Sequence, residues 1–367
     1  MEEPKGFFAS KRRRKVFNCI QVEVTSRCFL DCIMCPLPLL SRSGEWLPLD
    51  LGQEAISSLM EASDLANLIY LSGWGEPLLR PDLPDLVREL GSGGAEIGFT
   101  TNGVLMRPRR ARALLEAGLD LVSFSLAGST EEVHGAVRKG SRLSDITGNI
   151  RDLLALRKNM GLDRPRVLIL FLMLKENVGE LPEMVELAYE LGVDGLVATN
   201  MTYAATREQE ALAAFSMGAR SPYARHVEEA EARAKELGLS FRAYPLEAEE
   251  VSVCDEDPLN NVFITADGLV GPCVYLNMPV RDRIPRSFCG SELAIPRLVF
   301  GDLRRESLLD IWWSSEYVAF RRAFRTRAEA VLDLAFLHAS SLEEARRRLE
   351  EAPLPPPCRT CYKAYGL

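Results

Sequence analysis

No stretch of the 367 residues approaches the run of roughly 20 apolar residues that a membrane-spanning helix needs, which argues against a helical membrane protein. The basic run Lys11-Arg12-Arg13-Arg14-Lys15 has no apolar segment and small-residue cleavage site behind it, so it does not read as a secretory signal. It reads instead as a solvated tail over residues 1–15, or as a contact for an acidic partner. The net charge of −8 gives nucleic-acid binding no support from the chain as a whole. Histidine is scarce: His134, His226 and His338 share no ligand spacing and read as surface or internally satisfied helix residues. No paired-carboxylate motif stands out, so the sequence names no substrate acid or base, and no repeat at solenoid periods is found. Cysteine is missing altogether between Cys35 and Cys254.

What is present is ordinary in composition, 47% apolar and 26% charged, with length for a barrel-sized core and a smaller appendage. The cysteines are the exception. Nine of them in a chain that reads as cytoplasmic point to metal ligation or catalysis rather than disulfides. Their separation into a group near the N-terminus and a group beyond residue 250 suggests two metal sites.

Apolar runs rich in β-branched residues predict strands at 17–25, 66–73, 96–102, 120–127, 166–174 and 194–201. Helical patterns at 48–63, 81–91, 108–118, 143–160 and 180–191 separate them. Such alternation is an α/β pattern with a parallel sheet, because parallel neighbours require crossover helices. The polar and glycine-rich segments fall where strands end: Thr25-Ser26-Arg27-Cys28, Gly73-Trp74-Gly75-Glu76-Pro77, Thr101-Asn102-Gly103 and Ser125. In α/β barrels that edge carries the reactive groups. A helical segment is expected from 206 to 237. The texture then changes to short strands, with Asp267-Gly268 as a hairpin turn between 262–266 and 269–273. Trp312, Trp313, Tyr317 and Phe320 lie on a helical stretch and read as core packing.

Cys28-x-x-x-Cys32-x-x-Cys35 occupies the loop after the first strand. Thiolates suit Fe–S clusters, and short spacings let one loop hold three corners of a cubane while the fourth iron stays open. A zinc site or three unrelated buried cysteines are the alternatives. Zinc sites favour four ligands in Cys-x-x-Cys pairs, and no fourth Cys or His follows in the loop.

The spacing, its place after the first strand and the downstream Gly-Trp-Gly-Glu-Pro closely resemble the radical S-adenosylmethionine (SAM) superfamily. The resemblance implies a partial (β/α)6 TIM-like barrel whose 4Fe–4S cluster, held by Cys28, Cys32 and Cys35, passes one electron to SAM. SAM then breaks into methionine and a 5′-deoxyadenosyl radical. It also implies an electron donor of the flavodoxin or ferredoxin type. Gly73, Gly75 and Glu76 match the motif that binds the SAM amino group, with Trp74 where a second glycine is common. Thr101, Asn102 and Ser125 match polar positions around methionine and ribose. Arg138 resembles the arginine that pairs with the SAM carboxylate, and Met34 takes the position beside adenine.

Cys254, Cys273, Cys358 and Cys361 offer four further thiolates, for which structural zinc is the alternative to a cluster. Their arrangement, with Phe300-Gly301-Asp302-Leu303 and Ile311-Trp312, resembles the C-terminal SPASM and twitch extensions of that superfamily. It implies a single auxiliary 4Fe–4S cluster. Cys289 is left over and reads as a buried apolar residue, a substitute ligand or a catalytic thiol, and Cys19 reads as core. The expected organisation is a tail over 1–15, a barrel over 16–203, a helical bridge over 204–245 and an α+β twitch/SPASM-like domain over 246–367. The expected function is radical oxidation or rearrangement of a small molecule. A peptide or protein maturase is the alternative, and a non-catalytic scaffold the third reading.

Overall fold

The computed structural model describes residues 15–336 and 342–367. The basic run, apart from Lys15, and His338 lie outside the described residues. Seven parallel strands form the frame: β1 (Phe17–Val22), β2 (Ala66–Tyr70), β3 (Glu96–Thr101), β4 (Leu121–Leu126), β5 (Arg166–Met173), β6 (Gly195–Asn200) and β7 (Phe241–Ala243). The helices of the first half are α1 (Pro36–Arg42), α2 (Gln53–Ala62), α3 (Leu83–Gly91), α4 (Pro108–Glu116), α5 (Glu131–Val137), α6 (Leu143–Asn159) and α7 (Leu181–Leu191). Each expected strand is present. Of two short helices, α1 was not expected and α5 only through the reading of His134 as a helix residue; at seven residues each they are too brief for an apolar period to register.

The period-two pattern of the strands sorts their residues onto two faces. Ile20, Ile69, Ile97 and Phe99, Val122 and Val167 follow one another across the sheet in register and bury under the helices. The other face carries Gln21 beside Tyr70 and Thr100 beside Ser123, with the Tyr70 hydroxyl bonded to Thr100 Oγ1 at 2.7 Å. The concave side of the barrel is therefore polar, and it is the side left for a ligand.

Among the described residues no ladder closes the barrel, so it is partial. Its sheet continues instead into the C-terminal region. There β8 (Asn261–Ile264) pairs parallel with β1, and β9 (Leu269–Gly271) closes the expected hairpin through Asp267-Gly268. Strands β10 (Arg283–Phe288) and β11 (Ser291–Pro296) form a second hairpin, while β12 (Gly301–Asp302) borders β9. The main sheet thus has ten strands in the order β12-β9-β8-β1-β2-β3-β4-β5-β6-β7. The expected helical segment at 206–237 is broken into α8 (Arg207–Glu210) and α9 (Ala224–Leu237).

The C-terminal helices are α10 (Leu308–Trp312), α11 (Ser315–Phe336) and α12 (Leu342–Glu351). Trp312 and Tyr317 are buried as expected, but Trp313 is 64% exposed and is no part of the core, because its neighbour Trp312 takes the inward position. Cys289 likewise departs from the buried reading. It is exposed at the tip of the β10–β11 hairpin, with φ of +49°, and its N–H donates to the Tyr362 hydroxyl at 2.8 Å. Cys19 faces the concave side and is only partly buried. Buried His134 is satisfied by Ser141 and the Ala127 N–H; burial and the charge of Arg138 push it down to about 4.

Candidate active site between two cysteine clusters

The loop after β1 is pinned from one side. Ser26 Oγ donates to Leu47 O at 2.6 Å, the Trp46 indole N–H donates to Ser26 O at 2.8 Å, and Thr25 Oγ1 donates to Asp50 at 2.6 Å. From the other side the turn after α5 holds it: the Asp31 N–H donates to Lys139 O and the Ile33 N–H to Val137 O. Cys28, Cys32 and Cys35 are close enough for their charges to be felt mutually. Burial pushes the Cys28 thiol up to about 11 and Cys35 up to about 12, while Arg138, bonded to the Cys32 thiol, opposes the burial effect there. The protein alone thus favours neutral thiols. A bound cation such as cluster iron reverses that preference.

The glycines of the second motif are explained by contact distances. A Cβ on Gly75 would lie 2.2 Å from Thr25 O and 2.8 Å from Arg27 O, inside the backbone of the cysteine loop. One on Gly73 would lie 2.5 Å from the Glu23 side chain. Glu76, expected as a SAM contact, is also held by protein donors. Its Oε1 accepts from Thr101 Oγ1 (2.7 Å) and the Leu78 N–H (3.0 Å), and its Oε2 from the Asn102 N–H (2.7 Å). Held by three protein donors, with one acceptor position on Oε2 left over, the carboxylate organises the turns after β2 and β3.

Asn102 Nδ2 and Arg138 Nε are buried polar atoms without a partner, so each has a donor to offer a ligand. Three thiols, two orphaned donors and a glycine turn pressed against the cysteine loop fit a three-ligand cluster with SAM beside it. Of the expected contacts, Met34 and Gly73 line a cavity of about 310 Å³. Gly75, Glu76, Thr101, Asn102, Ser125 and Arg138 are not among its lining residues.

That cavity has a second wall which sequence reasoning missed: Glu256, Val274 and Tyr275, all beside C-terminal cysteines, with Asn200 and Tyr203 next to them. Trp74 ties the two walls together, its indole N–H donating to Val274 O at 3.2 Å. Its ring meets those of Tyr203 and Tyr275 edge-on at 5.2 and 6.1 Å. Burial pushes Glu256 up to about 7. The only signal for these residues was adjacency to Cys254 and Cys273; nothing in the sequence marks Tyr203 or Asn200.

Behind that wall Cys254 and Cys273 each feel the charges of Cys358 and Cys361, and burial raises both thiols well above the ordinary range. Buried Arg286 locks the group, donating to Pro357 O at 3.0 Å and to Tyr275 O at 2.8 Å, and Lys363 pairs with Asp255 at 3.0 Å. Among the described residues no three Cys, His, Asp or Glu side chains converge on a point that could hold a single metal ion. Four mutually close thiols supply the donor set of a cubane with all its corners ligated.

Residues 22–188 match the radical SAM superfamily and residues 254–362 match SPASM, an iron–sulfur cluster-binding domain. The chain thus carries a radical SAM domain followed by an iron–sulfur cluster-binding SPASM domain. It is an enzyme whose cofactors are SAM, a SAM-cleaving 4Fe–4S cluster and an auxiliary cluster. Over 303 residues, 82% of each chain, it is 29% identical to the tungsten-containing aldehyde ferredoxin oxidoreductase cofactor-modifying protein of Pyrococcus furiosus. It is 34% identical over 185 residues to the PqqA peptide cyclase of Rhodopseudomonas palustris, a match spanning 50% of this chain and 47% of that one. Streptococcus suis SuiB bound to S-adenosylmethionine shares the fold, with a TM-score of 0.60 at 15% identity over 85% of this chain and 69% of that one. No helix among the described residues is long and apolar enough to cross a membrane.

Proposed function

We propose that this radical SAM enzyme oxidatively modifies a peptide or protein, by crosslinking or dehydrogenation. The carrying observation is the cavity walled by Met34, Gly73 and Trp74 on one side and by Glu256, Val274 and Tyr275 on the other. A residue inserted there lies between the two cysteine groups. Cys28, Cys32 and Cys35 are assigned to the SAM-cleaving cluster, and Cys254, Cys273, Cys358 and Cys361 to the auxiliary one. Bound there, the cluster and SAM supply a 5′-deoxyadenosyl radical that abstracts a hydrogen atom from the substrate.

The chain's own residues do the rest. Asn102 Nδ2 and Arg138 Nε donate to SAM, the Glu76 knot keeps them in place, and the Trp74–Tyr203–Tyr275 group excludes water between the walls. The cluster that Cys254, Cys273, Cys358 and Cys361 would hold would supply an electron acceptor, as a net oxidation of the substrate requires.

The likeness to a peptide cyclase supports a peptide over the small molecule expected from sequence. Modification of a protein-bound cofactor is the second reading, favoured by the longer likeness to the cofactor-modifying protein. The test is anaerobic incubation of reconstituted enzyme with SAM, dithionite and deuterated short peptides encoded beside its gene. Loss of hydrogen mass from a peptide together with deuterium in 5′-deoxyadenosine is expected. Deuterium arriving only from a non-peptide cofactor precursor would overturn the peptide reading.

A further inference from the structure

Cleaving SAM needs one electron brought to the cluster from outside, and electron tunnelling weakens steeply with distance. A carrier therefore has to dock where the cysteine loop reaches the surface. The loop surfaces at one place. Cys28, Cys32 and Cys35 are partly or wholly buried, but between the first two stands Phe29, 44% exposed, flanked by exposed Arg27 and Asp31.

A second wall adjoins it. The turn 138–142, Arg-Lys-Gly-Ser-Arg, is bonded to the loop through the Asp31 N–H and Lys139 O (3.0 Å). Its Gly140 approaches Leu30, whose Cδ2 would lie 3.3 Å from an added Cβ. Lys139 and Arg142 stand exposed on this turn.

The charge balance of this face is opposite to that of the molecule. Arg27, Arg42, Lys139 and Arg142 stand exposed on the loop and the elements beside it, while Arg138 turns inward to the Cys32 thiol. Against them stand Asp50, paired with Arg27 at 3.3 Å; Asp31, paired with Arg42 at 3.0 Å; and Glu131, which accepts from the Leu143 and Ser144 N–H groups near Arg142. Four cations against three carboxylates leave an excess of one positive charge, on a chain whose net charge is −8. An exposed aromatic ring inside a cationic collar suits a partner with an apolar contact point ringed by carboxylates. The ring gives dry contact, and the collar steers the approach.

We propose that the face formed by Phe29 and the turn 138–142 is the docking site of an acidic one-electron carrier protein, which delivers the electron to the cluster held by Cys28, Cys32 and Cys35. This goes beyond the substrate assignment and does not depend on it, because SAM cleavage can be followed without substrate. An acidic segment of the substrate peptide is the competing occupant. The carrier is favoured because this face surrounds the cysteine loop from outside, whereas the substrate cavity opens between the loop and the C-terminal wall.

The test uses the enzyme with both clusters reconstituted. 5′-Deoxyadenosine formation from SAM is driven either by dithionite or by NADPH with a flavodoxin reductase and an acidic flavodoxin. In the double variant Lys139→Glu/Arg142→Glu the flavodoxin-driven rate is expected to fall about tenfold or more at low salt, the lower end of what electrostatic steering contributes. That rate should also lose its salt dependence, while the dithionite-driven rate stays within about twofold, a change too small to register against steering of about tenfold or more.

Arg107→Glu/Arg109→Glu, reversing two exposed arginines at the start of α4, serves as a charge-matched control and should leave both rates unchanged. A flavodoxin-driven rate in the Lys139→Glu/Arg142→Glu protein equal to the unaltered enzyme's would overturn the proposal. So would an equal loss in the control. Loss of peptide modification with flavodoxin-driven cleavage intact would assign the face to the substrate instead. If the unaltered enzyme cleaves no SAM with dithionite, the assignment of the first cysteine group fails, and the docking site with it.

Discussion

Replacing Glu76 by Gln keeps the shape of the side chain and turns one of its two acceptor oxygens into a donor. The carboxylate serves two backbone N–H groups, from Leu78 and Asn102, and the Thr101 hydroxyl. In either amide orientation one of those N–H groups meets an NH2. If the NH2 replaces Oε2 it faces Asn102; if it replaces Oε1 it faces Leu78, while the hydroxyl can turn and accept. A buried donor left unpaired costs about 1–3 kcal/mol. Part of this is returned, because burial already raises the Glu76 carboxyl above its ordinary range and the amide carries no charge to desolvate.

The expected net loss is about 1–2 kcal/mol, a noticeable share of the roughly 5–15 kcal/mol that holds a domain together. Urea unfolding of the apoprotein should show a lower midpoint. Because the strained N–H groups belong to the turns beside SAM, calorimetric SAM affinity of the reconstituted protein should fall up to about tenfold, the equivalent of 1.4 kcal/mol. The pair Glu76→Gln and Thr101→Val should be non-additive, since they share one bond. An unchanged midpoint together with unchanged SAM affinity would refute the reading of Glu76 as the organiser of this site.

Gly75→Ala should prevent cluster incorporation, seen as loss of iron and of absorbance near 400 nm, roughly the region where thiolate-bound Fe–S clusters absorb. Its Cβ would lie 2.2 Å from Thr25 O, in backbone that cannot give way. Cys32→Ala should abolish 5′-deoxyadenosine formation without unfolding the barrel, whereas Cys361→Ala should leave SAM cleavage largely intact and stop product formation. Loss of both activities in Cys361→Ala would make the second group structural only. Burial pushes Glu23 up to about 7 from an ordinary 4.5, so between those values the folded protein holds a proton that the unfolded chain has released. Stability carried by this group is complete below pH 4.5 and falls as pH rises to 7, by up to about 3 kcal/mol. Glu23→Gln should flatten that slope in urea midpoints measured at acid and neutral pH.

Much of the barrel was legible because its strands announce themselves locally. Each is a short β-branched run bounded by turn residues, and each is followed by an amphipathic helix, so periodicity alone located all six expected strands to within a few residues. The first cysteine group was legible for the same reason, its ligands lying within eight consecutive residues. Cys289 was misread because a lone cysteine carries no signal of its environment. Only the β10–β11 turn, with its left-handed backbone, exposes it. The protein donors around Glu76 were not legible, because a motif gives the identity of a carboxylate and not what surrounds it.

By itself the sequence determined the α/β alternation, the two cysteine groups and the glycines that let the loop after β2 press on the loop after β1. The alternation is a local periodicity, and the cysteines and glycines are read from residue identity and spacing alone. Tertiary structure alone decided that β8 would extend the barrel sheet by pairing with β1, some 240 residues away. That pairing carries Cys254 and Cys273 to the mouth of the barrel and makes Glu256 and Tyr275 walls of the same cavity as Met34. The reason is physical: a strand edge offers the same N–H and C=O ladder to any partner, and which partner takes it depends on the whole packed chain.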